Sequence, residues 1–247
     1  MARRRRHANR EIPQSQIDAC VDAGGLAVVG REGVLLHLAP ADVANSLRFF
    51  LSRLWQSGEV GLPPTISITS SIEGEGTTFV ARSLAAVMAH DLDRNICLLE
   101  TNWWSEWRST AMDRRTGLAD VLRGQCTVDE ALVHTLDERL VILTSGELPV
   151  AVRPAMVASN AFTDVLKLLT KMFDAVVIDA PPVLKASEAT TIVRHAEAAV
   201  LVVRHGVTTE RQLGAAIDEL NGAELGVIVN RCATRVPRLL RRFSVPA

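Results

Sequence analysis

A short glycine-containing loop between an apolar run and a helical pattern constrains the fold of this chain more than any other feature. The apolar run covers residues 65–69, and the helical pattern covers residues 79–90. Between them, Gly74 and Gly76 permit tight turns that let successive backbone N–H groups converge, and the helix adds its positive N-terminal end. Strand, loop and helix in this order are typical of a phosphate-binding loop in a parallel sheet.

The loop lacks the lysine that usually reaches the β- and γ-phosphates, because Thr77 stands at that position. The backbone donors are retained, so weak binding of ATP or ADP is predicted, whereas neutralisation of transition-state charge should be largely lost. Arg82 or an arginine of a neighbouring subunit could replace the charge. A turn that binds no nucleotide stays open as the alternative. The predicted nucleotide-binding residues are Gly74, Glu75, Gly76, Thr77, Thr78 and Phe79.

Acidic residues follow two further apolar runs. Asp179 ends the run 175–178 and precedes two prolines, and a carboxylate there predicts a Mg²⁺ site together with the Thr78 hydroxyl. Glu100 follows the run 96–99, but it is longer than aspartate, and Asn102 carries no charge. Because Mg²⁺ demands near-octahedral geometry, we predict Asp179 and Glu100 as catalytic candidates with impaired chemistry.

Three tryptophans, Trp103, Trp104 and Trp107, follow the second acidic position. A partner-binding patch, a plug in a vacant nucleotide site and ordinary burial all stay open as interpretations.

Apolar runs alternate with amphipathic patterns along most of the chain. This alternation predicts an α/β fold, with a mostly parallel twisted sheet covered by helices on both faces in three α/β/α layers. The predicted strands are 66–69, 96–99, 140–144, 175–178, 199–203 and 225–229, and the predicted helices are 78–90, 118–123, 128–135, 159–172, 186–195 and 208–221.

The segment before this alternation is less regular. Residues 26–29 and 34–38 could pair as strands, or residues 1–40 could form a basic, partly disordered extension that binds a partner. A helix capped by Asp42 should follow. We predict a phosphate-loop domain over residues 41–234 and a basic tail over residues 235–247.

Composition limits the partners and the chemistry. The net charge of −1 over 247 residues gives no global field for nucleic acid, although both ends carry arginine clusters that could touch anionic lipid or an acidic partner. There is no apolar run of about 18 residues and no secretory signal core. We therefore predict a cytoplasmic protein whose membrane contact is indirect or made through its basic ends. The chain has no tyrosine.

Five further segments in order resemble motifs of the bacterial tyrosine kinases of capsule and exopolysaccharide synthesis. These kinases belong to the deviant phosphate-loop ATPases, with the MinD/ParA-like cell-division and partition proteins. The resemblance covers about residues 42–232. The matching segments are 117–124 (GLADVLRG), 141–149, 173–184 (FDAVVIDAPPVL), 200–208 and 225–231.

The departures from the family pattern fall on its chemistry. The family loop reads GEGKST where this chain has GEGTTF, and its IDAD motif is LETN here. Glu188 replaces a family aspartate, and the C-terminal tyrosine cluster is missing. The family's ring-forming helix motif, ExxRxxR, is reduced to Asp42, Asn45 and Arg48.

The resemblance implies a kinase-related domain that docks on the cytoplasmic tail of a Wzz-like polysaccharide co-polymerase in the inner membrane, and it allows a homo-oligomer. Because tyrosine autophosphorylation is excluded, we predict a catalytically impaired regulatory or scaffolding subunit, a pseudokinase, at the inner face of the cytoplasmic membrane. Its predicted partner interface combines Asp42, Asn45 and Arg48 with the three tryptophans. Two alternatives stay open: an active ATPase or kinase with an altered phosphate site, and a MinD/ParA-like positioning ATPase.

Overall fold

The computed structural model describes residues 12–57, 63–104, 116–220 and 224–232, and they form alternating strands and helices. The strands are β1 (Leu26–Val29), β2 (Leu35–Ala39), β3 (Thr65–Ser70), β4 (Ile96–Glu100), β5 (Leu132–His134), β6 (Leu140–Leu143), β7 (Ala175–Asp179), β8 (Ala198–Arg204) and β9 (Glu224–Asn230). The helices are α1 (Gln14–Asp22), α2 (Ala41–Ser57), α3 (Thr77–Asp91), α4 (Leu118–Leu122), α5 (Val128–Ala131), α6 (Arg153–Val157), α7 (Asn160–Met172), α8 (Ala189–Arg194) and α9 (Glu210–Glu219).

The main sheet has the strand order β5-β6-β4-β7-β3-β8-β9. All neighbouring strands are parallel except β5, which runs antiparallel to β6. In this order β7 lies between β4 and β3. The carboxyl ends of these three strands therefore meet at one edge, where ligands bind in open α/β sheets.

Each central strand buries side chains on both faces, as expected for a parallel sheet between two helical layers. Ile66 and Ile68 of β3 pack with α2 and α3 on one face. On the opposite face, Leu99 and Ile178 pack with residues of α7 and α8. The predicted three-layer α/β/α architecture is confirmed.

The N-terminal residues that the structure describes form a strand pair. β1 and β2 are antiparallel, with Leu26 opposite Ala39, and Val28 and Leu36 join the core beneath α3. Of the two interpretations of this region, the local strand pair is the one found in residues 26–39. The preceding helix α1 was not predicted.

Two details of the predicted elements are wrong. The helix predicted over 128–135 ends at Ala131, because the next three residues pair with β6 as an edge strand. Asp42 is not the residue before its helix, since α2 begins at Ala41. Within the described residues, none of the helices is both long and apolar enough to cross a membrane.

Candidate functional site

The loop between β3 and α3 has the backbone that its glycines predict. Gly74 and Gly76 have φ angles of 79° and 95°, in the left-handed region that glycine adopts readily. The side-chain amide of Asn230, at the end of β9, donates to the carbonyl oxygen of Glu75 at 2.8 Å. A Cβ added to Gly76 would lie 2.2 Å from that amide nitrogen. The loop is therefore held against the end of β9.

The buried side chain of Glu75 stabilises the loop through hydrogen bonds. Its side chain is buried, and the carboxylate accepts the backbone N–H of Ile72 at 2.8 Å. The other carboxylate oxygen accepts the Thr208 hydroxyl and the backbone N–H of Arg204. Glu75 was predicted among the nucleotide-binding residues. Its carboxylate is instead engaged within the protein and its carbonyl accepts from Asn230, so neither is available to a ligand.

The two threonines after Gly76 begin α3. Thr77, at the position of the missing lysine, is only 5% exposed. The Asn102 amide donates to the Thr78 hydroxyl at 3.5 Å, and both side chains lie close enough to Asp179 to lower the pKa of its carboxyl. The structure thus brings Thr78 and Asp179 together, as the predicted Mg²⁺ site requires.

Asp179 lies at the centre of the site and is 1% exposed. Burial raises its pKa to about 7, and the neighbouring Glu100 carboxylate adds to the rise. The hydrogen bonds from Thr78 and Asn102, and the charge of Arg82, act in the opposite direction. Burial and the Glu100 charge thus disfavour the charged form of Asp179 in the protein without a bound cation.

Arg82 forms a buried ion pair with Glu100. The Nε and one terminal nitrogen of Arg82 donate to the same Glu100 oxygen, at 2.9 and 2.6 Å. Arg82 was predicted as a substitute for the loop lysine. Its guanidinium instead pairs with Glu100 at the end of β4, so the Arg82 charge is not free to contact a phosphate.

His37 of β2 contacts α3 beside this ion pair, a feature that the sequence did not reveal. Its Nε2 lies 2.8 Å from the Ser83 hydroxyl. Burial, together with the positive charge of Arg82, lowers the pKa of His37 to about 3. A neutral histidine therefore joins the N-terminal strand pair to the helix that follows the loop.

Trp103 and Trp104 are half-buried against the core beside the site. The Trp103 indole N–H donates to the carbonyl of Ser145, and that of Trp104 donates to Glu188, each at 3.0 Å. Both polar edges are thus satisfied within the chain. Trp107 lies outside the described residues.

The predicted interface residues of α2 are only partly available to a partner. Arg48 pairs with Asp91 at 2.7 Å and also donates to Asn45 at 2.9 Å. The Asp42 carboxylate accepts the backbone N–H of Val43. On the same helix, Phe49 is 63% exposed.

Asp179 and Thr78 offer two oxygen ligands of the kind that Mg²⁺ prefers. One Asp179 oxygen, Oδ1, is buried without a hydrogen-bond partner among the described residues, and the Thr78 hydroxyl lies nearby. One carboxylate and one hydroxyl suit Mg²⁺ that arrives with phosphate and keeps most of its water. No group of three His, Cys, Asp or Glu side chains that could hold a metal occurs in the described ranges. These residues fit a phosphate-borne Mg²⁺ rather than a permanently held one.

Comparison with known proteins points to one group of relatives, although no family model matches the chain. The chain is 29% identical over 177 residues to tyrosine-protein kinase CpsD of Streptococcus pneumoniae serotype 4, covering 67% of this chain and 75% of the relative. It is 25% identical over 167 residues to tyrosine-protein kinase ptk of Acinetobacter johnsonii, which covers 67% of this chain. It is 23% identical over 239 residues to tyrosine-protein kinase etk of Escherichia coli K12, which covers 93% of this chain.

The matches span only 22% and 30% of the Acinetobacter and Escherichia proteins. The similarity therefore says nothing about the rest of those longer proteins.

Solved structures agree with the sequence relatives. The BceF tyrosine kinase domain is 28% identical, with a TM-score of 0.65 and 77% of each chain covered. The kinase domain of Escherichia coli ETK has a TM-score of 0.66 at 21% identity, covering 96% of this chain and 88% of that one. The Mg-ADP complex of the septum site-determining protein MinD from Pyrococcus horikoshii has a TM-score of 0.52 at 22% identity, covering 70% and 72%. The last two show a shared fold.

Proposed function

The chain is a relative of the bacterial tyrosine kinases, and from this premise we propose that it is a catalytically impaired regulatory or scaffolding domain in capsule or exopolysaccharide synthesis. It would dock on the cytoplasmic tail of an inner-membrane polysaccharide co-polymerase. Its place would be the inner face of the cytoplasmic membrane, with the basic ends near anionic lipid.

The Arg82–Glu100 ion pair is the observation that supports the proposed loss of catalysis. A phosphoryl-transfer site needs free carboxylates for Mg²⁺ or for a nucleophile, and positive charge aimed at the transferred phosphate. Here Glu100 is neutralised by Arg82, and the residue at the lysine position is the buried Thr77. Both changes remove charge from the reacting groups while keeping the surrounding fold.

Nucleotide binding would survive in a weak form. The left-handed glycines and the N-terminus of α3 supply backbone donors for phosphate, and Asp179 with Thr78 can hold phosphate-borne Mg²⁺. The MinD relative in fold is a complex with Mg-ADP. ATP or ADP would then act as a signal that changes docking, without being consumed.

The docking proposal is tested by co-purification from membranes. The chain and the co-polymerase from the same locus would be co-expressed, and the complex captured through a tag on the co-polymerase. Phe49→Asp should weaken capture, because it places a charge on the exposed face of α2, whereas Leu168→Asp on the exposed side of α7 is the matched control. No capture of the natural chain would contradict docking.

Phosphoryl transfer is tested separately. The natural chain should hydrolyse no ATP above the rate of an Asp179→Asn variant, and it should phosphorylate none of the tyrosines of a co-expressed kinase. The rival function, an active ATPase with an altered site, is favoured by the Asp179–Thr78 pairing. It predicts turnover that disappears in Asp179→Asn. A positioning ATPase would also need that turnover.

A further inference from the structure

Lys185 lies beside the phosphate loop although it is distant from it in the sequence. The segment after β7 is tied to the loop by two backbone bonds, from Val183 N–H to the Ser70 carbonyl at 2.9 Å and from Leu184 N–H to the Ser71 carbonyl at 3.2 Å. These bonds place the Lys185 ammonium in an ion pair with the Glu73 carboxylate of the loop. The other two lysines of the chain, Lys167 and Lys171, are both on α7.

The ion pair between Lys185 and Glu73 matters for phosphate binding because Glu73 carries a negative charge. A carboxylate in a phosphate loop repels an incoming anion, and this loop has no lysine of its own to offset it. Lys185 is therefore the lysine that the fold brings to the loop. Its side chain is 38% exposed, so breaking the pair with Glu73 costs little, because water screens exposed ion pairs.

We propose that Lys185 is the phosphate-binding cation of this site, supplied by the β7–α8 segment in place of the loop lysine. In the ligand-free protein it pairs with Glu73, and on binding it moves to the terminal phosphate of a nucleoside di- or triphosphate. The long, flexible stem of lysine allows such an exchange. The inference deepens the proposed nucleotide binding and rests on that part of the proposed function.

Two buried polar atoms near the loop support a ligand site there. The Ser71 hydroxyl, in the loop, and Asp179 Oδ1, at the end of β7, have no hydrogen-bond partner among the described residues. Buried polar groups are nearly always paired, so two unpaired ones beside the loop are consistent with a ligand or water that would pair with them.

Trp104 provides an internal reporter of the exchange. The Lys185 nitrogen lies 4.9 Å from the centre of its ring, and Arg153 lies 5.0 Å from the same centre. The indole N–H is anchored by Glu188, so the ring is held in place while Lys185 can move. Departure of the ammonium from the ring removes a cation–π contact and should change the Trp104 fluorescence.

The experiment is a calorimetric titration of the full chain with ADP and with inorganic pyrophosphate, each with and without Mg²⁺. Lys185→Met should weaken binding about tenfold, corresponding to about 1.4 kcal/mol. Lys171→Met removes the same charge from α7 and should change affinity less than twofold. Glu73→Gln should tighten binding about threefold or more, because it frees Lys185 and removes a repulsive charge.

The double variant separates direct contact from simple neutralisation of Glu73. If Lys185 touches phosphate, Lys185→Met still weakens binding about tenfold in the Glu73→Gln background. If Lys185 only offsets Glu73, that effect disappears and the proposal is overturned. Thermal unfolding of each variant verifies that the fold is kept.

Fluorescence supplies the independent readout. Pyrophosphate should change the emission of the natural chain, and the change should be lost in both Trp104→Phe and Lys185→Met. Binding with no Trp104 signal and no effect of Lys185→Met would overturn the role of Lys185 and leave nucleotide binding intact. No binding by the natural chain at millimolar ligand would overturn both, whereas docking on the co-polymerase is judged by co-purification alone.

Discussion

Glu100 and Asp179 are register partners at the carboxyl ends of β4 and β7. Two carboxylates on directly paired residues in a buried site cannot both stay charged unless another group compensates their charge. Arg82 compensates one of them by a direct ion pair, and the pKa of the other rises to about 7. Protein groups therefore compensate the Glu100 charge directly, and burial together with Glu100 disfavours the charged form of Asp179.

Removing Arg82 should expose the cost of this arrangement. Arg82→Met leaves the buried Glu100 without its partner, so the free energy of unfolding should fall by about 3–5 kcal/mol. The Arg82→Met/Glu100→Leu double variant should recover most of this loss, because apolar replacement of a buried pair is often neutral. Urea unfolding measures both.

The exposed Arg48–Asp91 pair supplies the control for that experiment. Arg48→Met should cost about 1 kcal/mol or less, because the pair is solvated. Equal losses for the two arginine variants would contradict a larger contribution from the buried Arg82–Glu100 pair than from the exposed Arg48–Asp91 pair.

The stability of the protein should depend on pH through Asp179 and His37 with opposite signs. The pKa of Asp179 in the folded protein, about 7, is above its unfolded value of 3.8. The contribution of Asp179 to the free energy of unfolding is therefore fully present below about pH 4 and is lost as the pH rises to about 7. The loss of stability by Asp179→Asn should therefore shrink between pH 5 and pH 7.5, by up to about 1.4 kcal/mol per pH unit. Chemical unfolding in the presence of EDTA measures this.

His37 provides the opposite slope. Its pKa falls to about 3 from 6.5, so the folded protein loses stability as pH falls below about 6.5. His37→Gln should therefore be better tolerated at pH 5 than at pH 7.5. Parallel slopes for the two variants would rule out these assignments.

Six strands of the main sheet and a site at their carboxyl ends could be predicted because their signals are local, whereas the order of the strands in the sheet depends on tertiary pairing. Continuous apolar runs indicated buried strands, and Gly74 and Gly76 indicated the loop before α3. β5 could not be predicted in this way, since a three-residue edge strand is specified by pairing with β6 and carries no period of its own.

The charges of the site were harder to predict than its shape. The sequence shows that Thr77 replaces a lysine, but it does not show that Arg82 turns toward Glu100 or that Lys185 reaches Glu73. These contacts join residues from different βα units, so they depend on the tertiary packing of α3 and of the segment after β7. Asn230 and Thr208 hold the loop through Glu75. Both residues lie in segments that resemble the family motifs, and that resemblance was the only sequence signal for their importance.

The loop geometry predicts different costs for alanine at its two left-handed glycines. Gly74→Ala meets no other atom and should cost only the backbone strain of about 1–2 kcal/mol. Gly76→Ala should cost more, because its Cβ would clash with the Asn230 amide. Adding Asn230→Ala to Gly76→Ala should restore the part of the stability that the clash removes. The part lost to strain in the left-handed backbone should remain lost. Thermal unfolding of the three variants and the natural chain measures the difference, and equal costs at both glycines would contradict the close approach of β9.

Restoring the lysine separates binding from catalysis. Thr77→Lys returns a cation to the start of α3, and ADP–Mg²⁺ should bind about tenfold more tightly or better, because a charge-assisted phosphate contact is worth at least about 1.4 kcal/mol. Thr77→Met, of similar length without the charge, should show no gain. ATP turnover should stay undetectable in Thr77→Lys, because Glu100 remains paired with Arg82. Turnover in Thr77→Lys would instead mean that the lysine is the single missing element and that the buried ion pair does not prevent the chemistry.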